Sequence, residues 1–209
     1  WRPAWRVVLL IWLCLLARGA FYTVLPPMWE GYDEWAHVSY VQLLACGGGL
    51  PVLGETVVTR EVAASLELTP LPHAHPSMTG DRLTHDAYWR LPEQERDSRR
   101  RRLLELPRQW ASEPAVERIL NHEAQQPPFY YSLLVPVQLV AGNASLPTRV
   151  WLMRLVSLLL TSLTIPLAFL VARGVLHSDA WAVGATAVIA AAPGFLMNAS
   201  RVGNDGISA

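Results

Sequence analysis

The sequence predicts an all-α, polytopic membrane protein with a large extracytoplasmic loop carrying amphipathic interfacial helices. Three observations lead there. Hydrophobic residues make up 52% of the 209 positions and are bunched into a few runs, as membrane spans require. Between the runs lies a long polar segment with nearly all the acidic residues, most prolines and five of the six histidines. Within that segment two helices are expected, the first of them ended by a triple glycine.

Val7 to Leu25 is apolar apart from Arg18 and Thr23, and roughly 20 such residues cross the hydrocarbon core. Residues 1–25 therefore read as a first transmembrane helix, with Arg2 and Arg6 holding the amino end in the cytoplasm. A cleaved signal peptide has the same layout of arginine, apolar run and small residues. Later apolar runs bind the chain to a membrane in either case.

Residues 26–128 belong in water. Glu34 to Cys46 predicts a helix stopped by Gly47-Gly48-Gly49. Its apolar residues Trp35, Val38, Val41, Leu43 and Leu44, with Tyr40, suit a helix lying on the membrane surface. A second helix is expected through "EQERDSRRRRLLEL", where Arg99 to Arg102 read as a solvated face rather than a lipid-phosphate contact.

Residues 129–209 hold two or three further transmembrane or re-entrant segments: Phe129 to Ala141, broken by Pro136, then Val150 to Val171 and Trp181 to Met197. Arg149, Arg154 and Arg173 flank the middle segment on both sides, so the positive-inside rule does not fix its direction. The chain opens on tryptophan and stops at "NDGISA", which reads as a fragment.

Formal net charge is +0, and all 17 basic residues are arginine. No global field points to nucleic acid. Cys14 and Cys46 are too few and too differently placed for a disulfide framework or a thiolate metal site. His73 and His75 in "PHAHP" lack the further ligands of a zinc site. The "NAS" triplets at Asn143 and Asn198 end apolar runs and are read as chance.

The chemistry-bearing residues concentrate in two stretches. In "PPMWEGYDEWAHVSY", helical spacing places Asp33, His37 and Tyr40 on one face, with Glu34 turned roughly 100° away. A carboxylate there suits a general base toward a hydroxyl, or a divalent cation bridging a phosphate. Asp33 also suits a helix N-cap. In "NHEAQQPPFYYSLLVP", Pro127-Pro128 sets a rigid entry to the aromatic residues Phe129, Tyr130 and Tyr131. That leaves His122 and Glu123 available for chemistry.

Taken in order, "PPMWEGYDEWAHVSYVQLLACGGGLP", "HEAQQPPFYY", "RLVSLLLTSLTIPLAFLVAR" and "NASRVGNDGIS" resemble the amino-terminal part of integral-membrane glycosyltransferases of the GT-C class. They look most like bacterial relatives of the protein O-mannosyltransferases and aminoarabinose transferases, and like the domain-of-unknown-function proteins grouped with them. The resemblance implies a sugar taken from a polyprenyl-phosphate carrier at the extracytoplasmic face of a bacterial inner membrane and passed to an acceptor that the sequence does not identify. It implies Asp33 as the catalytic base with Glu34 as its neighbour. Asp205 falls at a second acidic position that in some members holds a metal, here a divalent cation such as Mg or Mn. Common relatives carry histidine or lysine just before the two prolines, where this chain has Gln125-Gln126. His37, Arg18, His122, Glu123, Gln126 and Tyr130 are then the candidate substrate or phosphate-binding residues, with Arg18 drawn to protein or water because it sits inside an apolar run. A non-enzymatic membrane subunit or transporter component, and an enzyme moving whole lipid-linked glycans, are the rival readings.

Overall fold

The computed structural model describes residues 2–31, 33–72, 82–111 and 119–205, so the "PHAHP" histidines lie outside the described residues. The chain is predominantly helical: α1 (Arg2–Tyr22), α2 (Glu34–Ala45), α3 (Arg60–Leu66), α4 (His85–Trp89), α5 (Glu93–Leu104), a 3-10 turn (His122–Gln125), α6 (Phe129–Val140), α7 (Leu146–Ser162), α8 (Thr164–Leu176), α9 (Asp179–Ala191) and α10 (Pro193–Ala199). Two-residue strands β1 (Pro70–Leu71) and β2 (Leu83–Thr84) pair in parallel. The residues divide into two compact units, one of Trp1–Leu25 with Arg154–Ala209 and one of Pro26–Met153.

In the first unit, Pro3–Tyr22 and Leu146–Leu176 are long and apolar enough to cross a membrane. The second begins inside the other unit. A third candidate is the pair Asp179–Ala191 and Pro193–Ala199, bent by 64° at Ala192, where Pro193 removes a helix hydrogen bond. Val8 and Leu15 of α1 pack with Ile165, Phe169, Ala182, Ala190 and Leu196. Gly19 is fixed by close approach: a Cβ there would lie 2.3 Å from Leu158 Cδ1. Polar groups inside this apolar bundle find partners, Trp12 Nε1 donating to Ser162 Oγ at 2.8 Å and Arg154 to the Thr23 carbonyl at 3.0 Å. Outward faces are apolar too, with Leu10, Val171, Trp181 and Val188 well exposed.

The second unit is built around α2, and here the expectation of a surface-lying helix is corrected. Every residue from Glu34 to Leu43 is buried. The apolar stripe expected to meet lipid packs inside the unit, and the polar residues between its members are buried as well. The helix stops as the glycines predict: Gly48 N–H bonds the Leu43 carbonyl at 3.0 Å and Gly47 N–H that of Leu44 at 3.1 Å, with Gly47 at φ 76°. This is the paired closure for which glycine in the left-handed region is suited. α5 has only Leu103 buried. Its arginines are not uniformly solvated, since Arg99 reaches Glu95 and the Glu67 carbonyl and Arg96 lies over the Trp89 ring.

Because α2 buries Ser39 and Gln42, those groups require partners. Ser39 Oγ accepts from Thr59 N–H at 2.9 Å, and Gln42 receives Thr59 Oγ1 at 2.6 Å while donating to Glu61 Oε2 at 2.8 Å. Glu61 in turn takes Trp110 Nε1 at 3.1 Å and forms an ion pair with Arg149, both side chains fully sealed from solvent. Arg149 also reaches the Ala144 carbonyl. The arginine read from sequence as a span-flanking charge is thus a buried strut. Glu61→Ala would leave its charge uncompensated, and we expect unfolding followed by tryptophan fluorescence to show a loss of about 3–5 kcal/mol. A loss under about 1 kcal/mol, the size seen for exposed pairs, would contradict that description.

Candidate functional site

Asp33 occupies the N-cap position of α2 in the left-handed conformation, φ 57° and ψ 13°, and its side chain makes no capping bond. The carboxylate is used elsewhere. Oδ1 lies 3.0 Å from His122 Nε2, with the Asp33 side chain 48% and the His122 side chain 43% exposed. This is the solvent-open end of a chain of polar contacts that runs inward.

The next member is Glu123, whose Oε1 is 3.7 Å from His122 Nε2 and whose Oε2 is 3.8 Å from His37 Nδ1. His37 Nδ1 also meets the Tyr131 hydroxyl at 2.8 Å. Tyr131 is fully buried and stacks on Tyr40, ring centroids 3.9 Å apart. The Tyr40 hydroxyl donates to the Gln126 carbonyl at 3.1 Å. Polar contacts therefore run from Asp33 at the surface to Tyr131 in the interior.

Two devices hold this line in place. Asn121 fastens the 3-10 turn to α2: Nδ2 donates to the Ala36 carbonyl at 3.1 Å, while Oδ1 accepts from Glu123 N–H at 3.0 Å. Trp35 meets the His122 ring edge-on at 5.1 Å. Behind Asp33, Trp29 is fully buried at φ 71°, a costly conformation for a bulky residue. There its N–H donates to Glu34 Oε2 at 3.3 Å, and its indole donates to Ser65.

The structure thus brings together Asp33, His37, His122 and Glu123. Tyr130, buried, sets its ring edge against Tyr131, and Gln126 contributes its carbonyl. Glu34 is fully buried and faces Trp29 rather than solvent. Arg18 and Asp205 belong to the first unit: Arg18 is exposed on α1, and Asp205 is paired with Arg201, four residues earlier. Asn121 and Tyr131 were not singled out from sequence as site residues. The asparagine directly before "HEAQ" is the only local hint, since side-chain caps favour that residue type.

Electrostatically, the Asp33 hydrogen bond raises the pKa of His122, burial opposes the rise, and the charges of Asp33 and Glu123 add to it. Burial alone pushes the Tyr40 phenol up. Asp33, His122 and Glu123 also present two carboxylate oxygens and one imidazole nitrogen within 4.8 Å of one another. Such a mixed set suits Mn²⁺ better than Mg²⁺, which favours an all-oxygen shell. Compared with known proteins, the chain gives no match to a protein-family model, to a curated protein or to a solved structure.

A raised histidine pKa fixes a sign. The stabilisation from the Asp33–His122 pair is full below the ordinary histidine value of 6.5, while the carboxylate stays ionised, and is lost as pH rises through the raised value. Asp33→Asn should therefore lower stability more at pH 6 than at pH 9, and should shift the His122 titration, followed by imidazole NMR, to lower pH. An unchanged midpoint would contradict the pairing.

Proposed function

We propose that the chain is part of an integral-membrane glycosyltransferase of the bacterial inner membrane, moving a sugar from a polyprenyl-phosphate donor to an acceptor at the extracytoplasmic face, with Asp33 as general base. The observation that carries this reading is the placement of Asp33: a carboxylate at an open edge, released from helix capping and held 3.0 Å from an imidazole. The helices long and apolar enough to cross a membrane support a location where a lipid-linked donor is available. The resemblance of the ordered motifs to the GT-C class suggests the substrate class.

The chemistry asks for three things of the residues. A base takes the proton of the acceptor hydroxyl as its oxygen bonds the anomeric carbon, and we assign that role to Asp33. The bond from that carbon to the phosphate oxygen breaks, and the departing polyprenyl phosphate keeps the electron pair. Negative charge then grows on the phosphate, and a cation close by stabilises it. His122, held towards its charged form by Asp33 and Glu123, is suited to that task, in place of the histidine or lysine that the resembled GT-C class carries before the two prolines. With His122 neutral instead, Asp33, His122 and Glu123 would hold a divalent cation, which would supply that charge stabilisation in place of the imidazolium.

Asp33→Asn in the full-length protein should reduce sugar transfer from a synthetic polyprenyl-phosphate sugar by about 10²–10⁴-fold, with expression and helix content kept. Transfer at the parent rate would remove Asp33 from its role. Glu34→Gln is the complementary case. Its buried carboxylate serves Trp29, so its effect belongs in stability before activity.

A further inference from the structure

We infer that the second unit carries its own lipid-docking face, formed by the outer stripe of α6 and the loop Leu50–Leu53, with Arg108 as the contact for anionic phospholipid headgroups. The inference rests on the membrane reading above but not on the proposed reaction.

α6 is turned inside out relative to a helix in water. Its inward face carries Tyr130, Tyr131 and Gln138 along with Leu134. Its outward face is Phe129 at 68%, Leu133 at 38%, Leu139 at 54% and Val140 at 90% exposure, with Pro136 and Ser132 exposed among them, the serine hydroxyl being turned back to the Pro128 carbonyl. Positions 129, 133, 136 and 140 recur every three or four residues, which puts them on one side. An apolar outer stripe of this kind is unfavourable in water and favourable in lipid. Twelve residues extend only about 18 Å, short of the roughly 30 Å of a hydrocarbon core. The helix is long enough to lie in the interface and too short to cross.

The same unit has a second apolar element. Leu50, Val52 and Leu53 are each more than half exposed in a loop between Gly49 and Gly54, both at positive φ. Each element lines a cavity, and the two cavities share lining residues. One, of about 500 Å³, is lined by Leu139, Gly142, Arg108 and Trp110; the other, of about 770 Å³, by Leu50, Val52 and Val57; Cys46 and Ala111 line both. Arg108 is anchored in the first, donating to Asn143 Oδ1 at 2.7 Å and to the Asn143 carbonyl at 3.0 Å. Further guanidinium N–H groups remain to meet a phosphate. Glu55 lines only the second cavity, so the anion-accepting end is the Arg108 end. Apolar side chains flanking an arginine are what a headgroup above acyl chains complements.

The test is a depth measurement on the full chain in nanodiscs. In a Cys14→Ser, Cys46→Ser background, nitroxide labels at Leu133→Cys, Val140→Cys and Val52→Cys are compared with Leu10→Cys in α1 and with Gln94→Cys on exposed α5. Oxygen and a water-soluble nickel chelate serve as relaxing agents. The three test sites are expected to behave as lipid-facing, roughly 5–10 Å below the phosphate plane, while Gln94→Cys stays aqueous. They should lie deeper in phosphatidylglycerol-containing discs than in pure phosphatidylcholine, and Arg108→Gln should remove that difference. Aqueous behaviour at all three sites while Leu10→Cys remains in lipid would overturn the docking face. Aqueous behaviour at Leu10→Cys as well would overturn it together with the membrane reading. A lipid preference cancelled by millimolar inorganic phosphate would assign Arg108 to free anions and overturn the headgroup contact. Asp33→Asn leaves every readout unchanged, so failure of the proposed reaction is seen separately.

Discussion

The architecture of the second unit follows from one constraint: α2 is buried on all sides while carrying Glu34, His37, Ser39 and Gln42. Each such group exacts a desolvation penalty unless a partner meets it. The partners come from separate parts of the chain: Trp29 for Glu34, Tyr131 for His37, and Thr59 for Ser39 and Gln42. Satisfying them fixes the segments around α2 and, with them, the position of Asp33 at its amino end.

The two halves of α2 thus do different work. Its carboxyl half is tied through Gln42 and Glu61 to Arg149 at the start of α7, a sealed polar knot whose members support one another. Its amino half receives the 3-10 turn through Asn121, which sets His122 beside Asp33. A carboxylate in this position is oriented by its surroundings without being closed off by them. That combination is what a general base requires. The same packing leaves α6 with its polar side turned inward and its apolar side turned out.

Much of this was legible in the sequence, and the failures have physical causes. The limits of α2 could be read because glycine at positive φ is a local signal. Its burial could not, because Trp35, Val38 and Val41 trace one stripe whether that stripe meets lipid or protein, and the partners of the polar side lie far along the chain. Asp33 could be singled out as a candidate base from its place beside an apolar run. That its carboxylate meets His122 could not be read, because His122 arrives from a turn distant in sequence. Arg149 reads in the sequence as a topological charge because its carboxylate, Glu61, sits on α3 with no sequence pattern linking the two. Asn121 and Tyr131 were missed for a similar reason: their importance lies in whom they touch.

The hold of α2 on His122 is tested most directly at Asn121, whose side chain bonds the Ala36 carbonyl and the Glu123 N–H and so fastens the turn that presents His122. The measurement is the His122 titration midpoint, by imidazole NMR, in the parent chain and in Asn121→Ala, with circular dichroism confirming that helix content is kept. If α2 and Asn121 together hold His122 against Asp33, the midpoint falls towards that of an ordinary histidine. A midpoint that stays where the parent chain has it would contradict the claim that the buried helix builds the site.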